Sequence, residues 1–68
     1  SSIIADNIIK YYPSLVTLFE SYFKCGDDET KKINFIKNLT FQSSNGKSRK
    51  FGPKISQKLY IYLFNKDI

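Results

Sequence analysis

The sequence predicts an all-α fold, a small bundle of four to five short helices. Apolar residues recur three and four positions apart through most of the 68 residues, which is the spacing of helices with one buried face. Pro13, Gly26 and Gly52-Pro53 stand between these periodic segments, where helices end or begin. Residues 59–64 have the composition of a strand, but they continue the helical spacing that precedes them, so no strand is predicted.

The first two helices have clear boundaries in the sequence. The first is predicted from Ser2 to Tyr11, because the residue ahead of Pro13 is held out of the helical region of backbone conformation. Ser14 has the side chain of an N-cap residue, and Gly26 suits the left-handed conformation that ends many helices. We therefore expect a second helix between Ser14 and Gly26.

Two further helices and a loop are predicted in the second half. Asp27 and Asp28 are expected to cap a third helix that runs to about Asn38. Residues 42–48 are turn formers without periodicity, which predicts a flexible loop. The fourth helix is expected to start at Pro53, because proline suits the first helical position. Its inner side is predicted to carry Ile55, Leu59, Tyr62 and Leu63.

Positive charge is concentrated in the second half of the chain. The net charge is +5, from 11 Lys and Arg residues against 6 Asp and Glu residues. Up to Glu29 there are two lysines against five acids, whereas from Thr30 to Lys66 there are nine basic residues and no acid. This asymmetry favours nucleic acid or another anionic surface as a partner, although many charge runs are only solvated faces.

The start of the fourth helix has the composition of a phosphate-binding site. A helix N-terminus carries about half a positive elementary charge, and Pro53 has no N–H group to leave unpaired. The N–H groups of Lys54 and Ile55 are expected to stay free to bind an anion. We therefore predict binding to DNA phosphates. The predicted DNA-binding residues are Lys47, Ser48, Arg49, Lys50, Gly52, Lys54, Ile55 and Lys58.

The segment from Phe51 to Ser56, followed by Leu59, resembles the second half of a helix-hairpin-helix signature. In that signature a glycine precedes the helix, a small residue follows four positions later, and an apolar residue follows three positions after that. Lys50 stands where the signature has its first glycine. Ser1 matches the second glycine of an earlier hairpin. The predicted hairpin core consists of Phe51, Pro53, Ser56 and Leu59, together with Ala5 and Ile8 in the earlier hairpin.

Two such units form the tandem helix-hairpin-helix domain that ends the XPF family of structure-specific nucleases, which this chain resembles over nearly its whole length. The segments from Tyr12 to Tyr22 and from Arg49 to Ser56 are most similar to the catalytic subunit of the Mus/Eme crossover-junction endonuclease. The resemblance implies binding of double-stranded or branched DNA through phosphates on the minor-groove side. It also implies pairing with a non-catalytic Eme-type subunit and a role in nuclear DNA repair and recombination, cutting flaps, forks and junctions. Residues 1–68 are accordingly interpreted as one DNA-binding and dimerisation domain of a longer protein.

Catalytic and metal-binding residues are not evident in the sequence. The nuclease chemistry of the XPF family depends on an acidic metal-binding motif with a Glu-Arg-Lys run, which is absent here. The resemblance therefore implies Mg²⁺ for the parent nuclease and no cofactor for this domain. We expect no small-molecule ligand. We also expect no membrane partner, because no apolar run approaches the roughly 20 residues of a membrane-spanning helix.

A different interpretation is a protein-interaction module without DNA contact, similar to a sterile-alpha-motif bundle of five short helices. It would account for the helices and for the apolar surface of the last one. It gives no reason for Gly52-Pro53 to be surrounded by lysines. Charge reversal at Lys50 and Lys54 separates the two interpretations, because it removes DNA binding without affecting a protein partner.

Overall fold

The computed structural model describes residues 2–67. In chain order it contains helices α1 (Ser2–Tyr11), α2 (Leu15–Phe23) and α3 (Glu29–Ile33), strands β1 (Thr40–Gln42) and β2 (Ser48–Lys50), and helix α4 (Gly52–Phe64). The fold is mostly helical, as predicted, with one small β-hairpin ahead of the last helix. Ser1, which was assigned to an earlier hairpin, lies outside the described residues. None of the helices within residues 2–67 is long and apolar enough to cross a membrane.

The first two helices lie where the sequence predicts them. α1 ends at Tyr11, ahead of Pro13. The Ser14 side chain accepts a hydrogen bond from the backbone N–H of Thr17 at 3.2 Å, which confirms Ser14 as the N-cap of α2. After α2, Gly26 has a φ of +65°, a conformation that glycine adopts without steric cost. The chain can therefore turn towards α3 at this position.

Helix α3 is shorter than predicted, because it ends at Ile33 and not near Asn38. Asp28 caps its start by accepting a hydrogen bond from the Lys31 N–H at 3.1 Å. Beyond Ile33 the chain continues in tight turns with bonds between residues three apart. The Ile33 carbonyl, which a longer helix would need, accepts a hydrogen bond from the Ser56 hydroxyl at 2.7 Å. A tertiary contact thus overrides the local helical tendency.

Residues 40–50 form an antiparallel hairpin, so the prediction of a chain without strands is wrong, and the predicted loop of residues 42–48 lies at the tip of this hairpin. The paired residues are Thr40 and Lys50, Phe41 and Arg49, and Gln42 and Ser48. Backbone bonds extend the ladder at both ends, from the Phe51 N–H to the Leu39 carbonyl and from the Ser43 N–H to the Lys47 carbonyl, each 2.9 Å long. Strands of three residues are too short for the alternation of apolar and polar side chains by which strands are recognised.

The tip of the hairpin is closed by its own turn-forming residues. The Gly46 N–H donates to the Ser43 carbonyl at 2.9 Å, and Gly46 has a φ of +82°. The Lys47 N–H donates to Asn45 Oδ1 at 3.1 Å, and the Ser43 hydroxyl donates to the Lys47 carbonyl at 3.1 Å. The residues that predicted a loop therefore form a hairpin turn with specific side-chain contacts.

The hydrophobic core is small and aromatic. Leu18 and Tyr22 of α2 are buried together with Tyr60 of α4, and Phe35 and Phe64 pack against them. The Tyr22 ring centroid lies 4.6 Å from that of Phe35 and 5.2 Å from that of Phe64. Aromatic side chains supply much buried area each, which lets a few residues form the centre of this domain.

The inner side of α4 agrees only in part with the predicted one, since Leu63 packs against the core as predicted. Ser56 and Tyr60, four residues apart and therefore on one face, are the buried positions of this helix. Tyr62, predicted to face inwards, is 84% exposed. The α4 sequence is apolar nearly all round, so its spacing did not show which side packs on the core.

Candidate nucleic-acid interface

The turn into α4 is built on Phe51 and Gly52. Phe51 is buried, and its ring centroid lies 5.0 Å from that of Phe41 and 6.5 Å from that of Tyr11. Gly52 has a φ of +86°, a conformation that other L-residues adopt only with strain. An aromatic cluster therefore fixes one side of the turn, and the glycine allows the sharp change of direction.

The backbone N–H groups of the turn bind the segment that follows α3. Phe51 donates to the Leu39 carbonyl at 2.9 Å, and Gly52 donates to the Lys37 carbonyl at 3.0 Å. An αR residue followed by a positive-φ residue can form a concave anion-binding nest. Here both N–H groups are already bonded within the protein, so this backbone does not bind an anion.

Two backbone N–H groups at the α4 start remain candidates for anion binding. Phe51 precedes the helix without a side-chain capping bond, and Pro53 has no N–H. Among residues 2–67 the Phe51 carbonyl accepts no backbone bond from Ile55. Free N–H groups at Lys54 and Ile55 therefore stay a prediction.

Ser56 fastens α4 to the segment after α3. Its side chain is fully buried, and its hydroxyl donates to the Ile33 carbonyl at 2.7 Å while accepting a hydrogen bond from the Ile36 N–H at 3.1 Å. Ile36 is also fully buried. The Ser56 hydroxyl therefore forms hydrogen bonds with the Ile33 carbonyl and the Ile36 N–H, which would bond within the helix if α3 were longer.

The other predicted hairpin-core residues differ in how deeply they are buried. Leu59 and Ile8 are half-buried, whereas Pro53 is exposed. Ala5 is also exposed, so its assignment to the core is wrong. The less exposed stripe of α1 includes Ile4 and Ile8, four residues apart, and Ala5 lies beside that stripe.

Most of the predicted phosphate-binding residues lie on the surface. Those that are exposed are Lys47, Ser48, Arg49, Lys50, Lys54 and Lys58, and those that are half-buried are Gly52 and Ile55. Lys54 and Lys58 are four residues apart and therefore share one face of α4.

Strand β2 distributes its basic residues over two faces. Successive side chains of a strand point to opposite sides, so Arg49 lies on one face, opposite Phe41 in the pairing. Ser48 and Lys50 lie on the other face. The basic residues therefore form a two-sided ribbon beside a helix face, and not one flat patch.

Glu29, the acid that directly precedes the basic half of the sequence, does not pair with the cations around the α4 start. Within residues 2–67 there is one ion pair, between Lys66 and Glu29, with 3.6 Å between Nζ and Oε2. The Tyr60 hydroxyl donates to the same carboxylate at 3.1 Å. Burial, and next this hydrogen bond, raise the pKa of Tyr60. The cations around the α4 start therefore remain available to bind an external anion.

A groove lies between α1 and the hairpin. One of its lining residues is Lys10, a cation that sequence reasoning missed. The groove has a volume of about 320 Å³ and is lined by Asn7, Lys10, Tyr11, Thr40, Phe41, Gln42 and Ser48. Lys10 belongs to the acidic half of the sequence, so it was not assigned to the basic surface. The sequence signal that could have identified Lys10 was its position in the last turn of α1, just ahead of Pro13.

The described residues do not fit a metal ion. Residues 2–67 contain no cluster of three or more His, Cys, Asp or Glu side chains that could hold one. Asp28 caps α3, and Glu29 pairs with Lys66. Mg²⁺ requires several oxygen ligands in near-octahedral geometry, so no metal-dependent step is assigned to these residues.

Fold and surface together define a small, mostly helical domain with an uncompensated basic surface beside a helix start. Residues 1–60 match the family model described as EME1/MUS81, C-terminal. The chain belongs to this family of structure-specific endonuclease domains, which confirms the resemblance drawn from the sequence at the level of the family. No curated protein and no solved structure matches the chain.

Proposed function

We propose that this chain is the DNA-binding and dimerisation domain of a structure-specific endonuclease, and that it binds duplex or branched DNA without reading base sequence. The cluster of exposed cations around the α4 start carries the proposal, because no carboxylate pairs with them among residues 2–67. Phosphate contacts position a protein on DNA and carry no direct sequence information. The cations of the cluster are Lys47, Arg49, Lys50, Lys54 and Lys58.

The contact between α3 and α4 supports a helix-hairpin-helix unit. Ser56 binds the backbone after α3, and Gly52 provides the positive φ at the turn. The β-hairpin enlarges the connection between the two helices. Lys50, at the position of the first glycine of the signature, lies in β2, where no glycine conformation is needed. This unit would be the second of the tandem pair, and the chain would correspond to the catalytic subunit.

A salt titration tests DNA binding directly. Fluorescently labelled linear and forked duplexes are titrated with the chain at several salt concentrations. If four phosphates are contacted, the slope of log affinity against log salt is about −3 to −4. The variant Lys50→Glu/Lys54→Glu should lose binding, whereas Lys24→Glu, an exposed lysine that lines a different groove, should weaken it little. A flat salt response, or equal losses in both variants, would contradict the proposal.

An apolar groove between α1 and α2 supports the dimerisation part of the proposal. Ile9 and Leu15 are 56% and 64% exposed, and both line this groove of about 270 Å³. Exposed apolar side chains gathered in one place mark protein contact surfaces. We therefore assign this groove to a non-catalytic Eme-type subunit.

Two variants test this assignment. Ile9→Glu/Leu15→Glu should abolish co-purification with the Eme-type subunit and leave DNA binding intact. Val16→Glu/Phe23→Glu introduces the same two charges at exposed positions that do not line the groove, and it should leave pairing intact. Pairing without any DNA binding in the unmodified chain would instead support a protein-interaction module.

The cellular part of the proposal follows from the family. Cutting of flaps, forks and recombination junctions would take place in the nucleus. The Mg²⁺ needed for that chemistry would bind an acidic motif that residues 1–68 do not contain.

A further inference from the structure

The groove between α1 and the β-hairpin is polar and positively charged. Its volume is about 320 Å³, and Asn7, Lys10, Gln42 and Ser48 are among the residues that line it. Of the residues that the structure describes, none with a carboxylate lines this groove. Lys10 therefore gives the groove a net positive charge, which favours an anion as its ligand.

The Lys10 ammonium is not neutralised within the described part of the chain. Asp6 precedes Lys10 by four residues on α1, a spacing at which opposite charges can pair. The one ion pair among residues 2–67 nevertheless joins Lys66 to Glu29, and Lys10 is exposed. The charge of Lys10 is therefore available to a ligand in the groove.

Two neutral donors face the groove from the hairpin. Gln42 and Ser48 are paired across the two strands, so their side chains lie on the same face of the sheet. Both residues are exposed. Amide and hydroxyl groups, like the ammonium group of lysine, commonly donate hydrogen bonds to phosphate oxygens. A groove with Lys10 on one wall and these two donors on the other has the chemistry of a phosphate site.

The same face of the hairpin connects the groove to the start of α4. Lys50 follows Ser48 by two residues in β2, so the two side chains share this face about 7 Å apart. Gly52, the first residue of α4, follows Lys50 by two residues. A DNA backbone that follows this face therefore passes from the groove to Lys50 and on to the α4 start.

Resting on the proposed function, we infer that the groove is a second phosphate-binding site. In it Lys10, Gln42 and Ser48 bind a backbone phosphate of the same DNA that the α4 start contacts. A lysine in the last turn of a helix also interacts favourably with the helix dipole, so a loss of stability in a Lys10 variant would not identify this role. The number of phosphates contacted does identify it.

Salt titrations with a linear duplex measure that number. Lys10→Gln should make the slope of log affinity against log salt shallower by about 0.9, whereas Lys10→Arg keeps the charge and should keep the slope. Lys24→Gln is the matched control, because Lys24 is exposed and lines a different groove, and it should leave the slope unchanged. Thermal melting confirms that each variant is folded. An unchanged slope in Lys10→Gln, or an equal change in Lys24→Gln, would overturn the inference.

Nuclear magnetic resonance locates the contact. When the linear duplex is added to the isotope-labelled chain, the side-chain amide signals of Gln42 should shift, and the shift should shrink in Lys10→Gln. The side-chain amide of Asn34, which lines the other groove, should shift little. A shallower salt slope without a shift at Gln42 would overturn the inference, because Lys10 would then act on the DNA from outside the groove.

The proposed function and this inference fail in different ways. If the unmodified chain binds the duplex with a steep salt dependence and Lys10→Gln has the same slope, the second site is overturned and the proposed DNA binding stands. If the unmodified chain does not bind the duplex at all, both are overturned.

Discussion

The Tyr11 hydroxyl binds both backbone groups of Thr40, donating to its carbonyl at 2.6 Å and accepting from its N–H at 3.3 Å. Ladder bonds at the 39/51 and 43/47 pairs turn the N–H and C=O of Thr40 away from β2, because bonded and non-bonded pairs alternate in an antiparallel sheet. Tyr11 therefore occupies the sheet edge where another strand would otherwise add. A side chain of α1 thereby sets the position of the hairpin.

We expect Tyr11→Phe to lower the free energy of unfolding by about 1 kcal/mol, the usual net value of such hydrogen bonding. The ring would remain beside Phe51, so the hairpin should loosen without loss of the fold. Amide hydrogen exchange at Thr40 should become faster. Tyr62→Phe removes a hydroxyl from an 84% exposed side chain and should change neither quantity. Unaltered exchange at Thr40 in Tyr11→Phe would show that this contact does not anchor the hairpin.

Ser56→Ala should destabilise the domain by roughly 1–3 kcal/mol, because it leaves buried backbone groups of Ile33 and Ile36 without their partner. Urea denaturation measures the loss. Ser44→Ala, at the exposed hairpin tip, is the control and should be close to neutral. A similar midpoint for Ser56→Ala and the unmodified chain would mean that the hydroxyl does not fasten α4 to α3.

At Gly52 we expect L-alanine to cost about 1–2 kcal/mol and D-alanine to be tolerated. A Cβ at Gly52 would meet no atom within 4 Å, so the cost arises from the φ of +86° alone. D-residues favour positive φ. A chain of 68 residues is accessible by chemical synthesis, and thermal melting compares the two products. Equal melting temperatures for both would rule out a conformational requirement for glycine.

The part of the fold that depends on local signals could be predicted from the sequence. Pro13 and Ser14 define the ends of α1 and α2 through backbone sterics and capping, which act within a few residues. The end of α3 could not be predicted, since the Ile33 carbonyl is bound by Ser56, 23 residues away. The hairpin was missed for a similar reason, because its base depends on a hydrogen bond from another helix.

In the candidate site, too, features that depend on local signals could be predicted and features that depend on tertiary contacts could not. Exposure of Lys54 and Lys58 follows from their charge and could be predicted. The bonded N–H groups of Phe51 and Gly52 could not, because their acceptors lie in the segment after α3. Lys10 reaches the hairpin through the packing of α1, which charge asymmetry along the sequence does not show.

Tyr22→Phe should raise the free energy of unfolding by about 1 kcal/mol. The Tyr22 hydroxyl is buried and has no hydrogen-bond partner within residues 2–67, and an unsatisfied buried hydroxyl is costly. The aromatic contacts with Phe35 and Phe64 would remain. Urea denaturation at neutral pH measures the gain, and Tyr62→Phe is again the matched control. A clear loss of stability would show that the hydroxyl has a favourable role.

The stability of the domain at high pH should depend on the same hydroxyl. Burial, and next the neighbouring Tyr12, Cys25 and Tyr60, raise the pKa of Tyr22 above its ordinary value of 10.0. The folded chain then holds this proton more tightly than the unfolded chain. The free energy of unfolding therefore keeps its full value below pH 10 and falls as the pH rises from there towards the raised pKa.

We accordingly expect the free energy of unfolding to fall more steeply above pH 10 in the unmodified chain than in Tyr22→Phe. Burial also raises the pKa values of Tyr12 and Tyr60, but these residues are present in both proteins. The difference between the two pH profiles therefore reports Tyr22 alone. Denaturation curves collected at intervals from neutral to alkaline pH measure it. Parallel profiles would show that folding does not raise the pKa of Tyr22.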